Sequence, residues 1–439
     1  MAIRHNSSML TLPKTATAPF CPSEVDGSIT IPGHASFWRK WWLVAGPALL
    51  ISVGYMDPGN WATDIAAGTS FGYDLLCIIL LSNLAAIFLQ SLAVRVGIVT
   101  GRDLAQLSRT HFRPGVNYLL WAFAELAIIA CDLAEVLGAG LALHLLTGCS
   151  LLLGILLTAL DTLLVLGLKG RGFRQVEAIV LALVLTIGIC FTIEMFIARP
   201  DWHAALLGTI PRWQSVASPA RLYLAIGIIG ATVMPHNLYL HSSIVQTRNH
   251  SNVREAIRLN LLDTVLALTL AFCVNAAILI LAARAFQGHA EITGIADAYH
   301  LLAPSLGATA AMYFFGIALL ASGQSATFTG TIAGQVILEG YLNLKIPCWQ
   351  RRILTRFLAL VPAVAGILYF GDAGVDRLLV ISQVVLGLQL PFIMFPLLRF
   401  AASKSLLTHH AIGGLLQWGG WALFLLISVA NIWLVYTLF

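Results

Sequence analysis

Long runs of apolar residues dominate this chain, and the short segments between them carry most of its charged residues. An α-helix needs about 20 apolar residues to cross the ~30 Å hydrocarbon core of a bilayer. Eleven runs have about this length or more, which predicts eleven transmembrane helices. The predicted spans are 43–69, 73–97, 117–146, 150–168, 175–198, 222–246, 260–286, 310–341, 354–371, 375–399 and 412–438.

The composition supports an all-α polytopic membrane protein. Of the 439 residues, 59% are hydrophobic and only 10% are charged, a balance far from that of soluble domains. The seven cysteines form no CxxC pair, so neither a disulfide framework nor a thiolate metal site is predicted. Residues 1–37 contain Pro, Ser and Thr without an apolar run, which predicts a flexible cytoplasmic tail.

The distribution of basic residues predicts the orientation, because cytoplasmic loops carry an excess of Lys and Arg. With the N-terminus in the cytoplasm, the basic residues on the opposite side are only Arg199, Arg212, Arg221, Arg284 and Arg377. This asymmetry favours both eleven spans and a cytoplasmic N-terminus. It also accounts for the formal net charge of +5 without a nucleic-acid partner.

Span 1 contains the stretch VGYMDPGNWATD, residues 53–64, whose proline and acids are unexpected at membrane depth. Proline lacks a backbone N–H and disrupts the helical hydrogen-bond ladder. We therefore expect an interrupted helix at Pro58, with carbonyl groups around Gly54 lacking their usual partners. Asp57 is the strongest functional candidate, because a carboxylate at the bilayer centre costs roughly 2.5–3.5 kcal/mol.

Span 6 contains a second interruption, in the stretch GATVMPHNLYLHSS at residues 230–243. Asp57-Pro58-Gly59-Asn60 and Met234-Pro235-His236-Asn237 share the pattern x-P-x-N. Matching positions in spans 1 and 6 predict two repeats of five spans, and an odd number of spans gives the repeats opposite topology. Interrupted helices at matching positions of inverted repeats indicate the central binding site of a transporter. Two prolines that only kink packed helices are the alternative, which the shared register disfavours.

The residues at the two interruptions favour a transition-metal ion. Carboxylate, amide and carbonyl oxygens bind any hard divalent cation. A thioether adds softness that favours transition metals over Mg²⁺ and Ca²⁺. Asp57 and Asn60 opposite Met234 therefore point to Mn²⁺ or Fe²⁺, although a methionine in a membrane helix usually only fills space.

The same stretches resemble helices 1 and 6 of the Nramp family of divalent metal transporters. ASGQSATFTGTIAGQVILEGY at 321–341 and SQVVLGLQLPF at 382–392 agree with this resemblance, which extends from about residue 40 to 400. It implies a LeuT-type 5+5 inverted repeat with helices 1 and 6 interrupted. The expected divisions are a tail at 1–37, repeats at 38–200 and 201–400, and an additional helix at 401–439.

The resemblance implies a proton-coupled importer of Mn²⁺ or Fe²⁺, and also of Cd²⁺ or Co²⁺, that works by alternating access. The expected protein is not an enzyme, has no resident cofactor, and acts as a monomer in the lipid of the cell membrane. Its expected partners are the metal ion and protons. The resemblance assigns the metal to Asp57, Asn60, Met234 and the Ala231 carbonyl, with Gln383 and the Gly54 carbonyl joining in an occluded state.

Span 3 supplies a candidate route for protons. Glu125, Asp132 and Glu135 occur at i, i+7 and i+10, broadly on one face of a helix. Arg352 and Arg356 at the start of span 9 are candidate partners, and a purely structural ion-pair network is the alternative. The resemblance implies a proton exit route here, with Asp57 as the coupling carboxylate and His236 modulating it.

Two other classes of function remain open at this stage. A sodium-coupled transporter of amino acids or amines on the same scaffold would present backbone groups of the interrupted helices to an organic substrate. An intramembrane metalloenzyme would require a His-rich ligand set. Asp161, Asp263 and Asn275 also lie within predicted spans, and the sequence assigns no role to them.

Overall fold

The computed structural model describes residues 27–160, 173–286, 294–306, 309–344, 346, 348–371 and 374–438. Of the residues singled out above, Asp161 and the side chain of Arg352 lie outside the description, as do residues 1–26 of the predicted tail. Throughout the described ranges the chain is almost entirely α-helical.

The helices, numbered in chain order, are α1 (Phe37–Val44), α2 (Pro47–Gly54), α3 (Pro58–Phe71), α4 (Leu76–Thr100), α5 (Leu104–His111), α6 (Pro114–Thr147), α7 (Leu151–Leu157), α8 (Phe173–Ala198), α9 (Trp202–Gly208), α10 (Pro219–Val233), α11 (Pro235–Ile244), α12 (Val253–Phe286), α13 (Ile295–Leu306), α14 (Thr309–Leu342), α15 (Cys348–Phe370), α16 (Gly374–Ala401), α17 (Lys404–Leu407) and α18 (Gly414–Leu438). Two short strands, β1 (Ile29–Thr30) and β2 (Arg248–Asn249), pair in parallel.

The predicted spans correspond closely to these helices. Nine helical segments of the described chain are long and apolar enough to cross a membrane, and they match spans 2, 3 and 5–11. Span 1 consists of the two shorter helices α2 and α3, as its proline predicts. Span 4 begins with α7 and a 3₁₀ turn at Thr158–Leu160, and its remainder lies outside the described residues. The chain is therefore a multi-pass membrane protein.

The two interrupted helices lie in the interior of the bundle. Helix α3 packs against α10, α12 and α16, while α11 packs against α4 and α14. Glycine also permits a close approach of α10 to α16: a Cβ atom on Gly230 of α10 would lie 2.2 Å from the carbonyl oxygen of Gln383 in α16. This contact fixes Gln383 beside the second interruption.

Charged residues from α8, α12 and the strand β2 hold the beginning of α2. The side chain of Asp263 in α12 accepts hydrogen bonds from the backbone N–H groups of Gly46 (3.3 Å) and Ala48 (3.0 Å), which the first turn of a helix leaves without helical partners. Arg248 donates to the carboxylate of Glu177 in α8 at 2.5 Å and to the carbonyl oxygen of Ala45 at 3.2 Å. We call Arg248, Glu177 and Asp263 the α2 latch. Asp263 thus acquires a structural role that the sequence did not reveal.

Candidate metal site

The first interruption frees one carbonyl group and caps the helix that follows. In a continuous helix the Gly54 carbonyl would accept from the N–H of residue 58, but Pro58 has none. Asp57 is the N-cap of α3, and its Oδ1 atom accepts from the backbone N–H of Asn60 at 2.9 Å. The sequence D-P-x-N therefore ends one helix and begins the next at the same depth.

Polar side chains hold the segment between α2 and α3. The carbonyl oxygen of Met56 accepts from the indole Nε1 of Trp61 at 3.1 Å and from the hydroxyl of Ser322 in α14 at 2.5 Å. These bonds satisfy a buried acceptor that the helix does not pair, which would otherwise be costly in an apolar environment. They also tie the first interruption to α14.

The second interruption repeats this arrangement. The Ala231 carbonyl would accept from residue 235 in a continuous helix, and Pro235 again lacks the N–H. Met234, between α10 and α11, has φ 30°, a backbone conformation that residues other than glycine rarely adopt. Such strain often occurs at functional sites.

Asn60 connects the two interruptions directly. Its Nδ2 atom donates to the Gly54 carbonyl (3.2 Å), to the Ala231 carbonyl (3.1 Å) and to Oδ1 of Asp57 (2.7 Å). The second carboxylate oxygen, Oδ2 of Asp57, is buried and has no hydrogen-bond partner among the described residues. One side-chain amide thus stands where both freed carbonyl groups and the carboxylate converge.

The thioether of Met234 faces the same place. A Cβ atom on Gly54 would lie 3.1 Å from the sulfur and 2.4 Å from Nδ2 of Asn237, so only glycine fits there without displacing these groups. Nδ2 of Asn237 also lies 3.6 Å from the Met234 sulfur and 3.5 Å from the carbonyl oxygen of Ile51. Asn237, the counterpart of Asn60 in the shared pattern, therefore helps to position the sulfur.

Gln383 of α16 lies against the start of α3. A Cβ atom on Gly59 would be 1.9 Å from its amide nitrogen, and this nitrogen donates to the hydroxyl of Ser382 at 3.0 Å. The amide oxygen of Gln383 is buried and has no partner within the described part of the chain. The side chains of Asp57, Asn60, Met234 and Gln383 belong to residues that are at most 1% exposed. The four residues are therefore buried from solvent.

The acids of span 3 fall into two groups along α6. Asp132 and Glu135 face α14 at Gly330, where an added Cβ would lie 2.7 Å from Oε1 of Glu135 and 3.5 Å from Oδ1 of Asp132. Both are buried. Cys131 connects this group to α11, because its sulfur lies 3.6 Å from both Oε1 of Glu135 and Nε2 of His236.

Glu125 forms a separate ion pair with Arg351 at the start of α15. The predicted partners of the acids were Arg352 and Arg356, and Arg351 was not among them. Arg356 is buried and donates to the hydroxyl of Thr327 in α14 at 3.1 Å. Arg351 and Arg356 thus reach different partners from the same helix, which a prediction from spacing alone did not resolve.

Asn275 of α12 is a further site residue that the sequence did not identify. Its Nδ2 atom donates to Oδ1 of Asn60 at 3.3 Å, and its own Oδ1 atom has no partner among the described residues. The available signal was an asparagine inside an otherwise apolar span. Cys131 gave no usable signal, since cysteine commonly packs as a small apolar residue.

Comparison with known proteins agrees with this geometry. The chain is 59% identical over 431 residues to the divalent metal cation transporter MntH of Ralstonia nicotianae, covering 97% of this chain and 98% of the relative. The structure superposes with a TM-score of 0.87 on a variant of the manganese transporter of Eremococcus coleocola, at 36% identity, covering 94% of this chain and 90% of the other.

More distant structures share the fold alone. The crystal structure of MhsT in complex with L-phenylalanine gives a TM-score of 0.59 at 16% identity, covering 90% of this chain and 98% of the other. The predicted LeuT-type fold with interrupted helices is confirmed. The family described as natural resistance-associated macrophage protein-like matches residues 48–437. This protein, which places the D-P-x-N and M-P-x-N interruptions of its sequence at one buried site, belongs to the Nramp family.

Proposed function

We propose that this protein imports divalent transition-metal ions, Mn²⁺ and Fe²⁺ and also Cd²⁺ and Co²⁺, together with protons, by alternating access across the cell membrane. The observation that carries this proposal is the convergence of Asp57, the Gly54 and Ala231 carbonyls and the Met234 sulfur around the amide of Asn60. The names of the relatives, divalent metal cation transporter and manganese transporter, support it.

The donor set suits a partly soft divalent cation. Asp57 supplies negative charge, the two carbonyls supply neutral oxygen ligands, and the Met234 thioether favours transition metals over Ca²⁺ and Mg²⁺. Gln383 can supply a further amide oxygen, since that atom has no other partner among the described residues. The ion is the substrate, so its ligands must both hold it and release it.

Asn60 binds the ion through its amide oxygen. This requires the side-chain amide to flip, so that its oxygen and nitrogen exchange places. In the structure the amide nitrogen faces the carbonyls and the oxygen accepts from Asn275. After the turn the nitrogen faces Asn275, whose Oδ1 atom is available as an acceptor. If the amide of Asn275 turns together with that of Asn60, the hydrogen bond between the two side chains is kept in both orientations.

Protons leave the site through α6. His236 lies two residues after Met234 and approaches Cys131, which in turn approaches Glu135. Asp57 is the coupling carboxylate, since it is both a metal ligand and the acid nearest the interruption. Asp132 and Glu135 continue the route, and Glu125 and Arg351 form a charged pair further along the same helix. Arg352 and Arg356 belong to the same region of α15.

The N-terminus is cytoplasmic in this proposal. The basic ends of several helices gather at one end of the bundle, where Lys40 pairs with Glu255 and Arg109 donates to the Glu339 carbonyl. This is the end with the excess of basic residues, as the cytoplasmic side of a membrane protein requires. Arg221, which is predicted to lie on the opposite side of the membrane, forms an ion pair with Asp74.

An organic substrate fits this site less well. A single amide nitrogen reaches oxygen atoms of both interruptions within 3.2 Å, so the groups converge on a volume the size of an ion. An amino acid would need the interruptions to lie further apart. The sodium-coupled alternative is therefore disfavoured.

Transport in liposomes tests the proposal, with metal and pH gradients varied separately. We expect uptake of Mn²⁺ that saturates, acidifies the lumen and accelerates when the outside is acidic. Uptake of amino acids driven by a sodium gradient, without Mn²⁺ uptake, would contradict the proposal. Mn²⁺ uptake that is independent of proton flux would retain metal transport but reject coupling.

A further inference from the structure

A basic cavity lies at the end of the bundle that carries the basic residues, away from the metal site. It has a volume of about 520 Å³ and is lined by Val99 at the end of α4, by residues 252–254 at the start of α12, and by the 3₁₀ turn Thr408–His410. The metal transport proposed above does not use this cavity.

Three basic side chains line the cavity, and a fourth contacts one of its lining residues. Arg254, His409 and His410 line it, and Arg95 donates to the carbonyl oxygen of His410 at 3.2 Å. Partial burial, together with the positive charges of His409, Arg254 and Arg95, lowers the pKa of His410. The nearest carboxylate along α12, that of Glu255, is held by Lys40 at 2.8 Å. Repulsion among these groups is relieved when an anion binds between them.

The start of α12 adds to this positive potential. Asn252 caps the helix, with its side-chain oxygen accepting from the N–H groups of Arg254 (3.0 Å) and Glu255 (3.2 Å). The first turn of a helix of 34 residues carries the positive end of its dipole. Anions are favoured at such a position.

The adjacent imidazole rings do not indicate a metal site. The rings of His409 and His410 lie 4.3 Å apart, but Arg254 and Arg95 would repel a cation there. Guanidinium groups instead match the oxygens of phosphate, to which they donate paired hydrogen bonds. The next helix, α18, has Leu415 (89% exposed) and Trp418 (77% exposed) in its first turns, which are typical of a lipid-facing segment at the membrane interface.

We propose that this cavity binds a phosphate group between Arg254, His409 and His410, carried by an anionic phospholipid or present as free phosphate. The two sources share the same chemistry at the site. A lipid would reach the cavity along α18. Free phosphate would enter from the aqueous side.

The test compares wild type with the Arg254→Gln/His410→Gln double variant and with an Arg113→Gln control. Arg113 is also an exposed arginine at the start of a long helix, α6, but does not line this cavity. Binding of phosphatidylglycerol, with phosphatidylcholine as the reference lipid, is measured by native mass spectrometry on the full-length protein in detergent. In a second arm, inorganic phosphate competes with phosphatidylglycerol.

We expect the double variant to bind phosphatidylglycerol about tenfold more weakly than wild type, because two charge-assisted hydrogen bonds are lost, while the control is unchanged. Insensitivity to inorganic phosphate identifies the lipid as the source, whereas displacement by millimolar phosphate identifies free phosphate. A single Arg254→Gln variant repeats the test if the double variant unfolds at lower temperature. If wild type, the variants and the control bind phosphatidylglycerol equally, and inorganic phosphate competes equally in all of them, the proposal is overturned.

Discussion

Nδ2 of Asn60 donates a hydrogen bond of 3.1 Å to the carbonyl oxygen of Ala231, 171 positions further along the chain. The bond exists because Pro235 leaves that carbonyl without a helical donor. The same amide group satisfies the Gly54 carbonyl, which Pro58 leaves free in the same way. Two helix interruptions in the sequence thus become one site through one side chain.

Replacing Asp57 or Asn60 by Ala should abolish Mn²⁺ uptake in liposomes. Each substitution removes an oxygen ligand, and neither residue is needed to bury the apolar surface of the bundle. Asn260→Ala is a matched control, since Asn260 is equally buried in α12 but donates to Ala256 within its own helix. Normal uptake by both site variants would reject the assignment.

Met234 should select the ion as well as hold it. We expect Met234→Ala to weaken Cd²⁺ binding most and Mn²⁺ transport only in part, because a polarizable sulfur contributes more to the softer ion. Ca²⁺ should then compete, since water in place of sulfur is an oxygen ligand. Mn²⁺ and Cd²⁺ uptake is measured against excess Ca²⁺.

Met234→Leu separates the chemistry of Met234 from its volume, because leucine fills a similar space without sulfur. We expect it to lose Cd²⁺ affinity as the alanine variant does. If both variants keep their Cd²⁺ affinity and still exclude Ca²⁺, then Met234 only packs, and selectivity has another origin.

Asn275→Ala should weaken metal binding without abolishing transport. Loss of one hydrogen bond to Asn60 costs about 0.5–1.5 kcal/mol, which corresponds to a rise of roughly two- to tenfold in the KM for Mn²⁺. The maximal rate should change less than the KM. The same KM in Asn275→Ala and wild type would show that Asn60 is oriented without it.

Asp132→Asn and Glu135→Gln should reduce metal-stimulated acidification of the lumen more than they reduce metal binding. Glu194→Gln provides the control, because Glu194 is a buried acid of α8 outside the proposed route. A pH-sensitive dye inside the liposomes reports proton flux, and calorimetry reports binding. Unchanged proton flux in both variants would leave these acids with a purely structural role.

The α2 latch predicts a stability effect far from the metal. Arg248→Ala leaves the carboxylate of Glu177, whose side chain is 5% exposed, without its buried partner, and we expect a loss of about 3 kcal/mol. Arg174, which also contacts Glu177 at 3.2 Å, keeps the loss from being larger. Unfolding midpoints are compared with those of Arg258→Ala, an exposed arginine of α12. Equal midpoints for the two variants would contradict the role of the latch.

The sequence alone determined the spans and the position of both interruptions. Lipid offers no hydrogen bonds to the backbone, so each crossing needs a long apolar helix, and a proline with polar neighbours inside one is conspicuous. Asp57, Asn60 and Met234 were identified for that reason. Arg351 was not, because residues 351, 352 and 356 are all arginines and only the packing of α15 against α6 shows that Arg351 pairs with Glu125.

Only the tertiary structure decided which distant groups meet. Asn275 and Asp263 are polar residues of one largely apolar span, and no local pattern distinguishes their roles. The packing of α12 directs Asn275 to Asn60 and Asp263 to the first turn of α2, about three helical turns away. A carbonyl group that proline leaves without a helical partner must accept a hydrogen bond from another group. The packing of the other helices determines which donor reaches it, and no local sequence pattern encodes that packing.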